Sequence, residues 1–328
     1  MILELAAVDL GQVLEAFWRG SVGSASALFS GTLVRAIPLI IIGVGLSVAF
    51  RAGVFNIGGE GQFLLGAVAA TIVGLHAPDT AIIGTPASLI AASVAGAAWA
   101  ALAGLLRWRF GVLEVISTIM LNFVAANLVS YLVRGPLQEP THVYPQTSSI
   151  GEVARLPQLW GGTRLHAGII LAIVVAVVAW WYLTRTAAGF RVRAVGASPT
   201  AALATGRVHV ERVVFGALVT SGALAGLAGG IEVSGVTYAL YENLSPGYGF
   251  SAIAVAILAR LHPLQVLGSA LLFAALETGA LGMQRDAGVP SVVALVLEAL
   301  IILVVVGASG VGLPWKLRLA RRARATAT

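Results

Sequence analysis

Nine apolar runs, separated by few charged residues, decide what this chain can fold into. They lie at residues 32–50, 62–76, 85–106, 112–133, 166–183, 213–231, 249–259, 264–282 and 291–307. A helix needs about 20 mostly apolar residues to cross a membrane, and most of these runs approach that length. Charged residues make up 10% of the chain, against about 25% of a typical soluble domain. The sequence therefore predicts an all-α, polytopic membrane helix bundle with about 8–10 transmembrane helices.

The run at 249–259 is too short to cross a membrane alone and predicts a half-helix that ends at Arg260–Pro263. No soluble domain remains outside the runs, so residues 1–328 are predicted to form a single transmembrane domain. A soluble enzyme and a nucleic-acid-binding protein are excluded, because the basic residues flank apolar runs instead of forming one charged face. The five histidines are dispersed, so neither a metal site nor a catalytic site is predicted.

The basic residues divide unevenly between the two ends of the predicted helices. Fourteen of the 20 lie on one side: Arg51, Arg107, Arg109, Arg185, Arg191, Arg193, Arg207, Arg212, Arg260, Lys316, Arg318, Arg321, Arg322 and Arg324. Five lie on the other side: Arg19, Arg134, Arg155, Arg164 and Arg285. Because basic residues concentrate in cytoplasmic loops, the first side and the C-terminus are predicted to be cytoplasmic. The polar segment 134–165 is then an external loop, and the segment 185–212 is a cytoplasmic loop.

Glycines interrupt the helical pattern between the first two runs, and polar side chains stand beside the break. These polar residues are Asn56, Glu60 and Gln62. Non-helical backbone at membrane depth is tolerated only where it is buried in protein or lines a cavity. Broken helices of this kind form binding sites in many transporters. The break is therefore a candidate solute site, with an ordinary cytoplasmic turn after Arg51 as the alternative.

A second group of polar residues lies on one face of the run at 112–133. Glu114, Ser117, Thr118 and Asn122 are spaced three to four residues apart, so they share one face of a helix. A polar stripe on an apolar helix faces either a watery path or neighbouring helices. The stripe is a candidate wall of a solute pathway, and hydrogen bonding between helices is the alternative.

Three further carboxylates lie in or near the apolar runs, at Glu232, Glu277 and Glu298. A charged acid at the bilayer centre costs about 2.5–3.5 kcal/mol on insertion scales. Such residues usually pair with a cation, and we predict an ion pair for each of the three. The alternative is that they form a proton relay. Small residues also repeat at every fourth position, in Gly222–Gly226–Gly230 and Gly96–Ala100–Gly104, which predicts close helix packing.

The predicted cytoplasmic loop contains a short helix signal. Ser198 is a suitable N-cap, Pro199 suits the first helical turn, and Gly206 can end the helix. A short helix on a basic inner loop fits a docking element, and a lipid-facing amphipathic connector is the alternative. The chain contains no G-x-x-x-x-G-K-[ST] phosphate loop, so any ATP that drives it must be hydrolysed by another chain.

Four stretches of the sequence resemble the permease subunits of bacterial ABC importers, in the branch for nucleosides and simple sugars that is related to the branched-chain amino-acid permeases. They are FNIGGEGQFLLGA, EVISTIMLNFVAANLVSYLV, RAVGASPTAALATGR and GYGFSAIAVAILARLHPLQVLGSALLFAALETG, and the resemblance spans about residues 28–310. The chain departs from the family in one respect. Residues 1–27 contain no long apolar run, where family members often begin with a further hydrophobic helix.

The resemblance implies roles for particular residues. Those implied to touch the ATPase subunit are Pro199, Ala201, Ala202 and Gly206, although Thr200 stands where the family usually has Glu, Asp or Lys. Those implied to lie near the translocation path are Asn56, Glu60, Gln62, Glu114, Ser117, Thr118, Asn122 and Phe123. Phe55, Phe63 and Phe123 are aromatic rings that could stack on a base, and core packing explains each of them equally well.

The resemblance also implies a function and a set of partners. The chain is expected to be a transport subunit, not an enzyme, of the bacterial inner membrane, and to work by alternating access. Its expected partners are an ATP-binding subunit with tandem nucleotide-binding domains, which holds ATP–Mg, a second paralogous permease chain and an external substrate-binding protein. Nucleosides are the favoured solute and simple sugars the alternative. A proton-coupled secondary carrier that uses Glu60 or Glu114 is the alternative of another class.

Overall fold

The computed structural model describes residues 10–76, 81–204 and 206–290, together with Val292, Val296, Ala299 and Leu300. The α-helices of this part of the chain are α1 Leu10–Ser21, α2 Leu33–Arg51, α3 Gly59–Leu75, α4 Ala81–Phe110, α5 Glu114–Arg134, α6 Gly168–Arg185, α7 Ala187–Ala197, α8 Pro199–Ala204, α9 Val210–Glu232, α10 Tyr248–Leu258 and α11 Pro263–Ala287. A π-helical turn, Ala27–Thr32, precedes α2, and another, Val233–Thr237, follows α9.

Six helical segments of the described residues are long and apolar enough to cross a membrane. They are Ala27–Arg51, Ile83–Phe110, Glu114–Arg134, Gly168–Arg185, Val210–Thr237 and Pro263–Ala287. Two further apolar helices, α3 and α10, are shorter. Each of the first eight predicted runs corresponds to one of these helices, which confirms the polytopic all-α bundle. The ninth predicted run, at 291–307, lies largely outside the described residues.

The centre of the bundle is α2. It is apolar on all sides, as expected for a buried helix, and 83% of its most apolar stretch is buried. It contacts α6, α9, α10 and α11. In α4, α5 and α6 only 28% of the corresponding stretch is buried, so these helices present broad outer faces to lipid or to another chain.

Three helices cross at glycines near the centre of the bundle. A Cβ atom added to Gly66 of α3 would overlap the backbone of Gly226 in α9. A Cβ added to Gly226 would in turn overlap the carbonyl oxygen of Ala92 in α4 and lie close to the Gly96 backbone. The small-residue spacing predicted from the sequence is thus confirmed as a packing surface, because only glycine lets these backbones approach so closely.

Two helices begin within the bundle instead of at its surface. α3 starts beside the middle of α5, where the N–H of Gly61 donates to Asn122 at 2.8 Å. α10 has 11 residues and starts where the N–H of Gly249 meets the carboxylate of Glu60. Gly247, with φ of 101°, allows the chain to turn into α10. The predicted broken helix and half-helix are both confirmed.

A long irregular segment, residues 135–167, joins α5 to α6 and packs over one end of the bundle. The N–H of Ile150 donates to Tyr238 O at 2.8 Å, and the N–H of Leu156 donates to Ser234 O at 2.8 Å. Because α6 crosses the bundle, this segment and α8 lie at opposite ends. We call these ends the loop end, which carries residues 135–167, and the α8 end.

The N-terminal helix α1 lies along α11. Ala16 is buried with Ala280 and Met283, and the backbones of Gly20 and Gly282 approach closely enough that a Cβ on either would meet the other. The described part of α1 has 12 residues, fewer than the roughly 20 that a membrane crossing requires.

His166, just before α6, is expected to make the protein sensitive to acid. Its ring is 1% exposed, and Nδ1 accepts the N–H of Gly168 at 3.2 Å. Burial, and secondarily the charge of Arg164, lowers its pKa from 6.5 to about 4. The native state therefore binds the proton more weakly than the unfolded state does, so the stabilisation is complete above pH 6.5 and is lost as the pH falls through that value toward 4.

The expected loss is about 3 kcal/mol of unfolding free energy between those two pH values. Apparent melting temperatures of the purified protein at pH 7.5 and 4.5 measure it, in the wild type and in His166→Gln. The glutamine variant is expected to show the smaller acid-induced drop, because it has no proton to gain. Equal drops in the two proteins would contradict the assignment.

Candidate functional site

The chain between α2 and α3 leaves the helical conformation at residues 52–58, and buried amides hold it in place. Asn56 Nδ2 donates to Gln62 Oε1 at 2.8 Å, and Gln62 Nε2 donates back to Asn56 Oδ1 at 3.0 Å. Asn56 Nδ2 also donates to Ser221 Oγ at 3.0 Å, and Asn56 Oδ1 accepts the N–H of Gly58 at 2.9 Å. All the hydrogen-bonding capacity of the Asn56 side-chain amide is therefore used within the protein.

The polar face of α5 runs along this non-helical segment and binds its backbone. Thr118 Oγ1 accepts the N–H of Ile57 at 3.3 Å, and Asn122 Nδ2 donates to Ile57 O at 2.8 Å. Asn122 Oδ1 accepts the N–H of Gly61 at 2.8 Å. These side chains supply the partners that the backbone loses by leaving the helix, which is the condition for non-helical chain inside a membrane protein.

The remaining predicted residues of α5 are Glu114, Ser117 and Phe123. Glu114 forms an ion pair with Arg107 at 2.8 Å and accepts the N–H of Phe55 at 3.4 Å, at the α8 end of the bundle. Ser117 Oγ donates to the carbonyl of Glu114 at 3.1 Å. Phe123 is 63% exposed on the outer face of α5. Contact of these residues with a transported solute stays a prediction, and the structure gives most of them a partner within the chain.

Glu60 differs from its neighbours because it points into a cavity. The cavity has a volume of about 300 Å³. Glu60 Oε2 accepts the N–H of Gly249 at 2.7 Å, in the first turn of α10. The N-termini of α3 and α10 meet here, with the backbones of Gly59 and Gly249 in contact. The positive ends of two helix dipoles thus stabilise a carboxylate that also faces open space.

The other polar walls of this cavity come from α5 and from the segment after α9. We call it the Glu60 cavity, lined by Glu60, Asn127, Ser130, Glu242, Asn243 and Ser245. Glu60 is a predicted pathway residue, whereas the sequence patterns predict no role for the other five residues. Three of them, Glu242, Asn243 and Ser245, lie in a mostly polar segment between two apolar runs. That segment is the sequence feature that could have marked them.

Glu242 places a permanent negative charge on this wall. Arg134 donates to it with Nε at 2.9 Å and with Nη2 at 2.6 Å, and the hydroxyl of Ser130 donates to the same carboxylate. These hydrogen bonds, with that of Arg134 the strongest, lower the pKa of Glu242 to about 2. Glu242 is therefore ionised at neutral pH.

The three carboxylates predicted to lie in or near the membrane differ in their partners. Glu277 pairs with Arg35 at 3.3 Å, which confirms the predicted pairing. Glu232, in the last turn of α9, is 6% exposed and lacks such a pair within the described residues. Glu298 lies outside the described residues.

At the α8 end, the predicted short helix is present. Ser198 Oγ accepts the N–H of Ala201 at 3.3 Å, as an N-cap does, and Gly206 has φ of 65°. Ala202 is buried against the protein, whereas Pro199, Ala201 and Leu203 are exposed. The exposed residues form a small outer face of α8, and Ala202 packs beneath it.

Comparison with known proteins places the chain in a family. Residues 28–306 match the family model of the permease component of branched-chain amino acid transport systems. The guanosine ABC transporter permease protein NupP of Bacillus subtilis is 37% identical over 93% of this chain and 88% of its own length. The glucose ABC transporter permease protein TsgB13 of Haloferax volcanii is 37% identical over 83% of this chain and 74% of its own length.

A third relative extends the same pattern. The nucleoside ABC transporter permease protein NupB of Lactococcus lactis is 33% identical over 87% of this chain and 81% of its own length. The match covers most of the chain, including the broken segment, the Glu60 cavity and α8. This multi-pass membrane protein therefore belongs to the family of branched-chain amino acid transport system permease components and is a permease subunit of an ABC importer.

Proposed function

We propose that this subunit conducts nucleosides across the bacterial cytoplasmic membrane. The observation that carries the proposal is the similarity to NupP, because that relative, named for guanosine transport, aligns with nearly the whole chain. The polar Glu60 cavity, set where two half-helices meet, supports it. Simple sugars are the second candidate, favoured by the equal identity to a glucose permease over a shorter part of the chain.

The proposed assembly places ATP hydrolysis on a separate subunit. The sequence contains no Walker A phosphate loop, so ATP–Mg would bind to an ATPase subunit with tandem nucleotide-binding domains. A second, paralogous permease chain would complete the pathway, and an external binding protein would deliver the solute. The excess of basic residues at the α8 end supports a cytoplasmic location for that end and for the C-terminus.

A continuous set of contacts links α8 to the Glu60 cavity. A Cβ on Gly196 of α7 would overlap the backbone of Arg51, at the end of α2, so α7 and α2 pack without a gap. Arg51 Nε donates to Leu261 O at 2.7 Å, just beyond α10. We infer that a displacement of α8 by the ATPase subunit moves the starts of both α3 and α10, which opens and closes the cavity in alternating access.

In this mechanism Glu60 binds sugar hydroxyls of the solute. A carboxylate accepts hydrogen bonds from two adjacent hydroxyls, and charge-assisted bonds are among the strongest available. The N–H of Gly249 and the hydroxyl of Ser245 occupy part of the acceptor capacity of this carboxylate, and its remaining acceptor positions face the cavity.

Uptake of labelled nucleoside tests the proposed function. Cells that carry the complete importer are compared with cells that lack this chain, with and without an uncoupler at constant ATP. Uptake that requires this chain, survives the uncoupler and resists competition by ribose supports the nucleoside importer. Loss of uptake with the proton gradient alone would identify a secondary carrier, and uptake of simple sugars only would identify the second candidate.

Replacing Glu60 with glutamine is expected to lower ribonucleoside uptake about tenfold, the effect of one lost charge-assisted hydrogen bond of about 1.5 kcal/mol. The amide oxygen of glutamine still accepts the N–H of Gly249, so the start of α10 remains in place. Uptake of a 2′,3′-dideoxynucleoside by the same variant is the control, since this solute lacks the two adjacent hydroxyls that Glu60 is proposed to bind. An equal effect on both solutes would show that Glu60 acts on the fold instead.

A further inference from the structure

Glu232 is a buried carboxylate without a partner. The residue is 6% exposed, and within the described part of the chain its carboxylate makes no hydrogen bond or ion pair. Glu60, Glu114 and Glu277 each have such a partner. Because the protein supplies no donor, the carboxylate must take its hydrogen bonds from water or from a ligand in the cavity that it faces.

The carboxylate faces a second cavity, separate from the Glu60 cavity. We call it the Glu232 cavity. It has a volume of about 330 Å³ and is lined by Arg35, Arg164, Glu232, Tyr241, Asn243 and Tyr248, among others. That volume falls within the range of about 300–1,000 Å³ found for small-molecule sites. The segment 241–246 separates the two cavities, and Asn243 lines both.

The walls of the Glu232 cavity carry both a hydrogen-bond acceptor, Glu232, and guanidinium donors. A ligand with a donor beside an acceptor fits between them. Glu232 accepts hydrogen bonds only, and a guanidinium donates only. Arg35, which pairs with Glu277, and Arg164 line the same cavity as Glu232, and within the described residues neither forms a hydrogen bond or ion pair with it. Tyr241 and Tyr248 add aromatic surface to the same walls.

We propose that the Glu232 cavity binds the base of 6-oxopurine nucleosides. Guanine and hypoxanthine carry an N–H beside a carbonyl, which matches a carboxylate beside a guanidinium. Adenine presents a ring nitrogen lone pair where the N–H would be, and this lone pair would face the carboxylate. A site that hydrogen-bonds its ligand rejects analogues that leave its buried groups unpaired. This inference rests on the proposed function, because it takes the solute to be a nucleoside.

Competition binding tests the inference on the two permease chains and the ATPase subunit, assembled in nanodiscs without the binding protein. Labelled guanosine is displaced by guanosine, inosine or adenosine. We expect the wild type to bind guanosine and inosine at least about tenfold more tightly than adenosine, and Glu232→Gln to reduce this preference to within about threefold. Glu152→Gln, at an exposed glutamate of the loop end, is the matched control and keeps the wild-type preference.

Each other outcome has a defined meaning. Nucleoside binding without a preference, or an unchanged preference in Glu232→Gln, would overturn the inference alone. Binding of simple sugars but of no nucleoside would overturn the proposed function and the inference with it. If Glu232→Gln does not assemble, Tyr241→Leu tests the same cavity. Loss of stacking is expected to weaken guanosine binding about tenfold, and unchanged binding would overturn the inference.

Discussion

Replacing Gly226 with valine is expected to leave no folded protein in the membrane. Gly226 lies where α3, α4 and α9 cross, and an added Cβ would overlap the carbonyl oxygen of Ala92. The obstacle is backbone on a neighbouring helix, which cannot rotate away as a side chain can. The three helices would have to separate, at an expected cost of about 4 kcal/mol or more, which approaches the whole stability of many proteins.

Size-exclusion profiles of the solubilised protein measure this effect, with the wild type and the variant expressed in parallel. Gly216→Val is the matched control on the same helix. Gly216 is exposed, and an added Cβ there would meet no other atom within 4 Å. The control is therefore expected to elute as the wild type does. A monodisperse Gly226→Val protein with an unchanged melting temperature would show that the crossing is not as close as described.

Replacing Leu203 with aspartate is expected to disconnect ATP hydrolysis from solute uptake. Leu203 is a 57% exposed leucine on the six-residue α8, next to the exposed Pro199 and Ala201. An apolar anchor of this kind at an interface contributes about 2 kcal/mol or more, so uptake is expected to fall about thirtyfold. ATP hydrolysis by the partner subunit is expected to continue without a response to solute.

The exposed position of Leu203 is the reason to expect a folded variant, whereas a charged residue at the buried Ala202 would displace α8 itself. Leu203→Met is the control, because it keeps an apolar side chain of similar volume and is expected to retain uptake. Uptake and ATP hydrolysis are measured together in proteoliposomes that contain the complete importer. Wild-type uptake by Leu203→Asp would place the ATPase contact elsewhere on the chain.

Local sequence patterns were sufficient for much of the fold. Run length predicts the spanning helices, because a lipid environment requires about 20 apolar residues per crossing wherever they occur in the chain. The short run at 249–259 predicts the half-helix α10 for the same reason. Ser198 and Gly206 predict the ends of α8, since capping depends on residues within one turn of the helix end.

The roles of the polar residues depended on the tertiary structure. The sequence pattern placed Asn56 and Asn122 beside a solute pathway, but the side chains of both are hydrogen-bonded to other protein atoms. One partner of Asn56 is Ser221, which lies 165 residues away in the sequence. Glu60 reaches a cavity because Gly249, 189 residues along the chain, starts a second half-helix beside it. The sequence by itself determined the membrane helices and their breaks, because these follow from local hydrophobicity and turn chemistry. The tertiary structure alone decided which polar side chains face a cavity and which support the backbone, because their partners come from distant segments.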